Sequence, residues 1–150
     1  MRAVIFSAAS LSCPAGMRTD IIHGDLPSRH FEPRVYGVGA WTPHLAFAYD
    51  LMAVLKPPLL VELGVDRGES YFAFCQSAVE NRIGARFFGI DTWQGDQHAG
   101  GYDETTFNQV SEHNQANYPA ISSLIRSSFD DALRHFENES IDVEIILHAR

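Results

Sequence analysis

The stretch "LLVELGVDRGES", residues 59–70, decides the fold. A short apolar run, Leu59 to Leu63, reads as a buried strand. Gly64 follows it directly and can take backbone angles closed to other residues. Gly68 opens "ESYFAFCQSAVENR", whose apolar residues cover the wide face of a helix packed on a sheet, with Gly84 as its stop. Strand, glycine turn and helix thus follow one another within a few residues.

The same alternation continues downstream. "RFFGI" is a second buried strand, closed by Asp91, and "DETTFNQVSEHNQANY" is a helix begun by Asp103 and ended before Pro119. "ISSLIR" is a third strand. "SFDDALRHF" starts as a capping box, with Ser128 at the N-cap and Asp131 three residues on. "IDVEIIL" is a fourth strand. Upstream, "WTPHLAFAYDLMAVLKPP" predicts a helix capped by Thr42, with Pro43 at its first position and Pro57-Pro58 as its stop. Repeated strand–helix units predict an α/β fold, a doubly wound, Rossmann-like parallel sheet with right-handed crossovers. Residues 1–40 carry no sustained period and are expected to be mostly irregular; residues 41–150 form the domain.

Composition narrows the function. The chain has 150 residues, a formal net charge of -8 and no Lys/Arg cluster, which argues against a nucleic-acid partner. No apolar stretch approaches the ~20 residues needed to span a bilayer. The two cysteines, Cys13 and Cys75, read as free thiols in a reducing compartment, so a cytoplasmic location is expected. The opening "MRAVIFSAASLSCPAG" is broken by serines and lacks a convincing signal-cleavage site; it reads as an irregular leader, with Met17 an alternative start to Met1.

In an open α/β sheet the ligand sits outside the carboxyl ends of the strands, where the glycine turn lies. Asp91 stands at the end of the second strand, at the spacing of about 20 residues expected for a ribose-binding acid. Its carboxylate can accept hydrogen bonds from both ribose hydroxyls. Turn and acid together point to a ligand containing a nucleoside. A dinucleotide fingerprint would place glycine where the backbone meets the pyrophosphate, and here that position is Asp66. Asp66, with Glu69 behind it, repels a pyrophosphate. A nucleoside without phosphates and with positive charge fits better, and S-adenosylmethionine is such a molecule. A nicotinamide-dependent oxidoreductase is the disfavoured alternative.

"VELGVDRGESYFAFC" followed by "FFGIDTWQGDQHAGGY" resembles the class I S-adenosylmethionine-dependent methyltransferases, and more narrowly a group often encoded beside or fused to glycosyltransferases. The resemblance runs from about Trp41 to about Ile141. It implies that Glu62, Gly64 and Gly68, with Val65 and Asp66 in the same turn, surround the methionine part of the cofactor. It implies Asp91 on the ribose, Thr92 and Trp93 beside the adenosyl group, and Ser127, Ser128 and Phe129 flanking adenine. Trp41 and His44 would line the pocket, and the strands would lie in the order third, second, first, fourth. The resemblance further implies methyl transfer, of the O-methylating kind, to a small or sugar-containing acceptor. The family continues past a strand like "IDVEIIL" with an Asp-Gly-x-His type segment and further strands. This chain is therefore expected to be the cofactor half of an incomplete domain, inactive alone and prone to self-associate through its fourth strand. An inactive remnant or interaction module is the rival reading.

Several residues have plainer readings. Glu62 can merely bond backbone at a strand end, and Trp93 serves equally as a core aromatic. His44 reads as a capping or surface residue, and Cys75 as a small buried hydrophobe. Asp96, His98, Asp103 and Glu104 lack the spacing of a metal site and read as a polar loop. No residue is assigned as catalytic, and no metal is expected.

Overall fold

The computed structural model describes residues 26–95, 104–132, 134, 136 and 141–146. Four strands form one sheet: β1 (Leu59–Leu63), β2 (Arg86–Asp91), β3 (Ser122–Arg126) and β4 (Val143–Ile146). Their order is β3-β2-β1-β4 and every pairing is parallel. Parallel neighbours need crossovers, which α2 (Glu69–Glu80), α3 (Glu104–Asn117) and α4 (Phe129–Ala132) occupy, while α1 (Leu45–Leu55) precedes the sheet. The expected Rossmann-like α/β architecture and strand order are those found.

Alternation along the strands sorts the core into two faces. Leu60, Phe87, Val143 and Ile145 join Tyr71, Phe72, Phe74 and Cys75 of α2 and Leu45, Ala48 and Met52 of α1 in the larger core. Val61 and Ile90 face the other way, with Ala132 of α4 and the partly buried Leu63, Phe88 and Ile125. Cys75 is a fully buried free thiol, as its sequence context predicts.

Three details differ from the sequence expectation. Thr42 does not cap a helix: Thr42–His44 is a 3-10 turn leading into α1, and no side chain caps α1 at His44. The Thr42 hydroxyl goes instead to Glu69. Gly84 does not stop α2, which ends at Glu80 with Asn81 as its C-cap and Arg82 in a left-handed turn, φ 55°. Prolines do not end α1 directly either; Lys56 does, left-handed at φ 46°, its N–H on the Met52 carbonyl. By contrast Ser128 caps α4 as expected, its Oγ accepting the Asp131 N–H at 3.2 Å and donating to the Asp131 carboxylate at 2.8 Å.

Helix α2 is buried on all sides over Glu69–Ala78, more than its amphipathic pattern requires. The cover is the segment before α1. Residues 26–40 hold only a 3-10 turn, Pro27–His30, yet they are fastened to the helices. Asp50 accepts both the N–H and the hydroxyl of Ser28. Gln76 accepts the Arg34 N–H and donates to the Glu32 carbonyl, so a buried amide is satisfied by a strap crossing the helix. Between this strap, Arg67, Phe72 and α3 lies a cleft of about 460 Å³. Among the described residues, no helix is long and apolar enough to cross a membrane.

Candidate cofactor site

The site is built where β1 and β2 end side by side, Leu63 in register with Ile90. The chain leaves β1 through Gly64 at φ 88°, whose N–H stays on the Ile90 carbonyl at 2.8 Å. Val65 turns into the core. Asp66 then adopts φ 50°, a left-handed conformation that aspartate tolerates better than most residues. Its peptide is gripped from both sides. The N–H donates to Asp91 Oδ2 at 2.9 Å, and the carbonyl accepts the indole N–H of Trp93 at 2.9 Å.

Gly68 completes the turn at φ 84°, its N–H on the Val65 carbonyl. A side chain here would place Cβ 2.4 Å from the Phe72 ring, so glycine is needed for space as well as for backbone angle. Gly89, beside Glu62 on β2, has the same steric role, because a Cβ there would approach Val65, Leu124 and Tyr71 to about 3 Å.

Glu62 points into the larger core and is fully buried. Its Oε1 accepts the Ser70 hydroxyl at 2.8 Å, while Oε2 has no hydrogen-bond partner among the described residues. Burial, reinforced by the negative charge of Asp91, pushes its carboxyl up to about 8 against the pull of Ser70. The Cys75 thiol and the Tyr71 hydroxyl, buried beside it, are also raised, chiefly by desolvation.

Asp91 serves the loop with both oxygens: besides Asp66, its Oδ1 accepts the Trp93 N–H at 2.9 Å. A carboxylate has about four lone-pair sites, so acceptor capacity remains on each oxygen. Trp93, left-handed at φ 49°, is buried with its ring on Phe107 at 4.9 Å. Thr92 stays half-buried, its carbonyl taken by Arg126. The Ser127 N–H donates to the Asp91 carbonyl at 3.0 Å, which brings the exposed Ser128 and Phe129 to the same edge of the sheet.

The remaining predicted positions fall close by or outside the described residues. Trp41 and His44 stack edge-on at 5.4 Å at the start of α1, half-buried. Asp96, His98 and Asp103 lie outside the described residues, as do Cys13 and Met17. Glu104 is bound by both terminal nitrogens of Arg126, at 2.7 and 2.8 Å.

Two contributors escape the sequence reading. Ser70 carries no periodic signal that links it to Glu62. Glu69, expected only to repel anions, is a buried anchor for the strap: its Oε1 accepts the Val38 N–H at 3.0 Å and the Thr42 hydroxyl at 2.5 Å. Arg67 holds the Val38 carbonyl at 3.1 Å, so the two residues flanking Gly68 grip one strap residue from both of its peptide groups.

A parallel sheet in this order, with a glycine turn after β1 and an acid ending β2, is the fold of the class I methyltransferases. The chain belongs to a methyltransferase domain family, whose model matches residues 61–147. Protein y4gI of Sinorhizobium fredii is 42% identical over 104 residues, covering 69% of this chain and 11% of that protein. The chain thus spans about a tenth of that relative's length. Among solved structures, the S-adenosylhomocysteine-bound methyltransferase PaMTH1 of Podospora anserina matches with a TM-score of 0.54 at 15% identity, over 70% of this chain and 40% of that one. Cofactor-bound Rv0187 from MTB matches at 0.54 and 16%, over 79% and 48%. A putative caffeoyl-CoA O-methyltransferase from Staphylococcus aureus matches at 0.51 and 12%, over 68% and 43%. The family sets aside the oxidoreductase alternative.

Proposed function

We propose that this chain binds S-adenosylmethionine and serves methyl transfer to a small acceptor, of the O-methylating kind and with sugar-containing molecules as the first class to test. One observation carries the choice of cofactor. Glu62, at the carboxyl end of β1, is a wholly buried carboxyl that among the described residues has one oxygen left over and no cation bonded to it. Such a group wants a positive charge, and with Asp66 in the adjoining turn and Asp91 at the end of β2 bonded to it, a pyrophosphate is disfavoured.

Glu62 and the turn Gly64–Gly68 would hold the methionine part, whose ammonium and sulfonium groups match the acids. Asp91 would accept from the ribose hydroxyls through its remaining lone pairs, and Thr92, Ser128 and Phe129 would border the adenosyl group. Trp93 would act from beneath, fixing the Asp66 peptide. The bound cofactor supplies an activated methyl on a cationic sulfur. The chain's own part is positional: it orients that methyl for in-line attack and keeps the turn rigid. An alcohol acceptor needs a base for its proton.

Calorimetry with S-adenosylmethionine, S-adenosylhomocysteine and NAD tests the reading. Binding of the first two in preference to NAD is expected; preference for NAD overturns it. A labelled-methyl assay over sugar and non-sugar alcohols then addresses the acceptor.

A further inference from the structure

Glu62 occupies an unusual position for an acid. It lies in β1, one of the two inner strands of the sheet, opposite Gly89 on β2 and Ile145 on β4. Among the described residues, the ionisable groups acting on it are Asp91 from β2 and Tyr71 and Cys75 from α2, and each of them opposes a negative charge at Glu62 or is neutral. Its register partner on β4, Ile145, is apolar, and the larger core on that face of the sheet, which Leu45, Ala48 and Met52 of α1 join, is hydrophobic. Ser70 is the one hydrogen-bond donor to the carboxyl among the described residues, and it reaches only Oε1.

An ion in that setting is costly: among the described residues one oxygen lacks any donor, and no opposite charge offsets the desolvation. The neutral acid fits better. Ser70 donates to the carbonyl-like Oε1, and Oε2 carries the proton. A lone O–H is a smaller defect than a lone anionic oxygen in the same place.

We infer that Glu62 couples ligand binding to proton release: a cationic ligand converts this carboxyl to carboxylate and sends its proton to solvent. The inference rests on the cofactor reading above and goes beyond it. The balance is simple. A neutral acid and a cation become an ion pair plus one free proton, with no bond to carbon made or broken. The direction also discriminates between ligand classes, since an anionic ligand would hold the proton more firmly.

The test is calorimetry at pH 6.5 in buffers of different ionisation enthalpy, which yields the protons exchanged per ligand bound. At this pH the ligand's own amino group is already protonated, its ordinary value being about 7.7–8.0, and burial keeps Glu62 protonated with its carboxyl at about 8. For the full chain, S-adenosylmethionine is expected to release about one proton. 5′-Methylthioadenosine, which shares the nucleoside but carries neither charge, is expected to release none. Glu62→Gln should bind S-adenosylmethionine at least about tenfold more weakly, with no proton released and with affinity for 5′-methylthioadenosine unchanged. S-Adenosylhomocysteine tells which charge is sensed, because it keeps the ammonium and lacks the sulfonium.

Binding of S-adenosylmethionine with an enthalpy independent of buffer would overturn the inference and leave the cofactor reading standing. Release that persists in Glu62→Gln would overturn it as well, by assigning the proton to another group. If that variant does not fold, the wild-type comparison of S-adenosylmethionine with 5′-methylthioadenosine decides: equal release from both overturns the inference. Absence of binding by any of the three nucleosides would overturn both readings.

Discussion

The carboxylate of Asp91 holds the backbone N–H of Asp66 at 2.9 Å, joining the end of β2 to the turn that follows β1. The acid proposed to read a ribose is therefore also the acid that shapes the turn after β1. Its other oxygen holds the Trp93 N–H, and Trp93 in turn holds the Asp66 carbonyl. The three residues close a ring of hydrogen bonds that fixes two left-handed residues, Asp66 and Trp93.

Replacing Asp91 by alanine is expected to act on fold and binding together. Two hydrogen bonds to a charged acceptor are lost, at about 1.5–3 kcal/mol each before water compensates. We expect a net loss of roughly 2 kcal/mol in unfolding free energy and at least about tenfold weaker nucleoside binding. Asn, which keeps one acceptor oxygen, should recover part of the stability. Denaturant melts and calorimetry measure the two effects; unchanged stability in the alanine variant would mean water replaces the carboxylate at both N–H groups.

Glu62 should make stability depend on pH. Its folded carboxyl lies at about 8 against an ordinary value of 4.5, so between these values the native state binds a proton that the unfolded state has lost. Stability then falls as pH rises through this window, by at most about 1.4 kcal/mol per pH unit. Below 4.5 both states are protonated and the dependence vanishes. Melts from pH 4 to 9 on wild type and Glu62→Gln check this. The variant should lose the decline, and equal slopes would show that Glu62 does not cause it.

Gly68→Ala is expected to be among the most damaging single changes in the turn. The new Cβ would sit 2.4 Å from the ring of Phe72, which is buried against Tyr118 and His113, and the backbone is left-handed at φ 84°. Strain of both kinds should cost about 2–4 kcal/mol. A thermal melt within a degree of wild type would show that Phe72 can swing aside.

Glu69→Ala should free the strap. It removes the acceptor for the Val38 N–H and leaves the Thr42 hydroxyl with the Gly39 carbonyl, 3.1 Å away, as its partner. Limited proteolysis should then cut within residues 31–42 at a rate several-fold above wild type, while Glu69→Gln, which retains an acceptor oxygen, should resist. Equal rates for all three proteins would assign the strap's order to Asp50, Arg67 and Gln76 instead.

The legible parts of the fold are those written in local pattern. Leu59–Leu63 and Arg86–Ile90 are apolar runs, and a sheet buried on both faces needs no other signal. The strand order came with the resemblance carried by the glycine turn and Asp91. What local pattern could not reveal is contact between distant segments. Thr42 has the chemistry of an N-cap, but Glu69 lies within reach of its hydroxyl and outcompetes the helix end. Gln76 and Ser77 look like the solvent face of α2, yet Gln76 bonds the strap and Ser77 bonds the Tyr49 carbonyl. Within the site, the turn and Asp91 are readable from spacing. The unpartnered oxygen of Glu62 is not, because it depends on which side chains meet across three elements.

Because all four strands run the same way, the turn, Asp91 and the start of α4 collect at one rim of the sheet, and the described residues of the loops at the other rim include none of the proposed site residues. Gly84 sits on that second rim, between α2 and β2, exposed and with nothing within 4 Å of an added side chain. A cysteine placed there for a fluorophore, or a fused reporter domain, would travel with the scaffold while leaving the rim proposed to bind the nucleoside untouched. The parallel sheet thus hands the experimenter a labelling position opposite the chemistry.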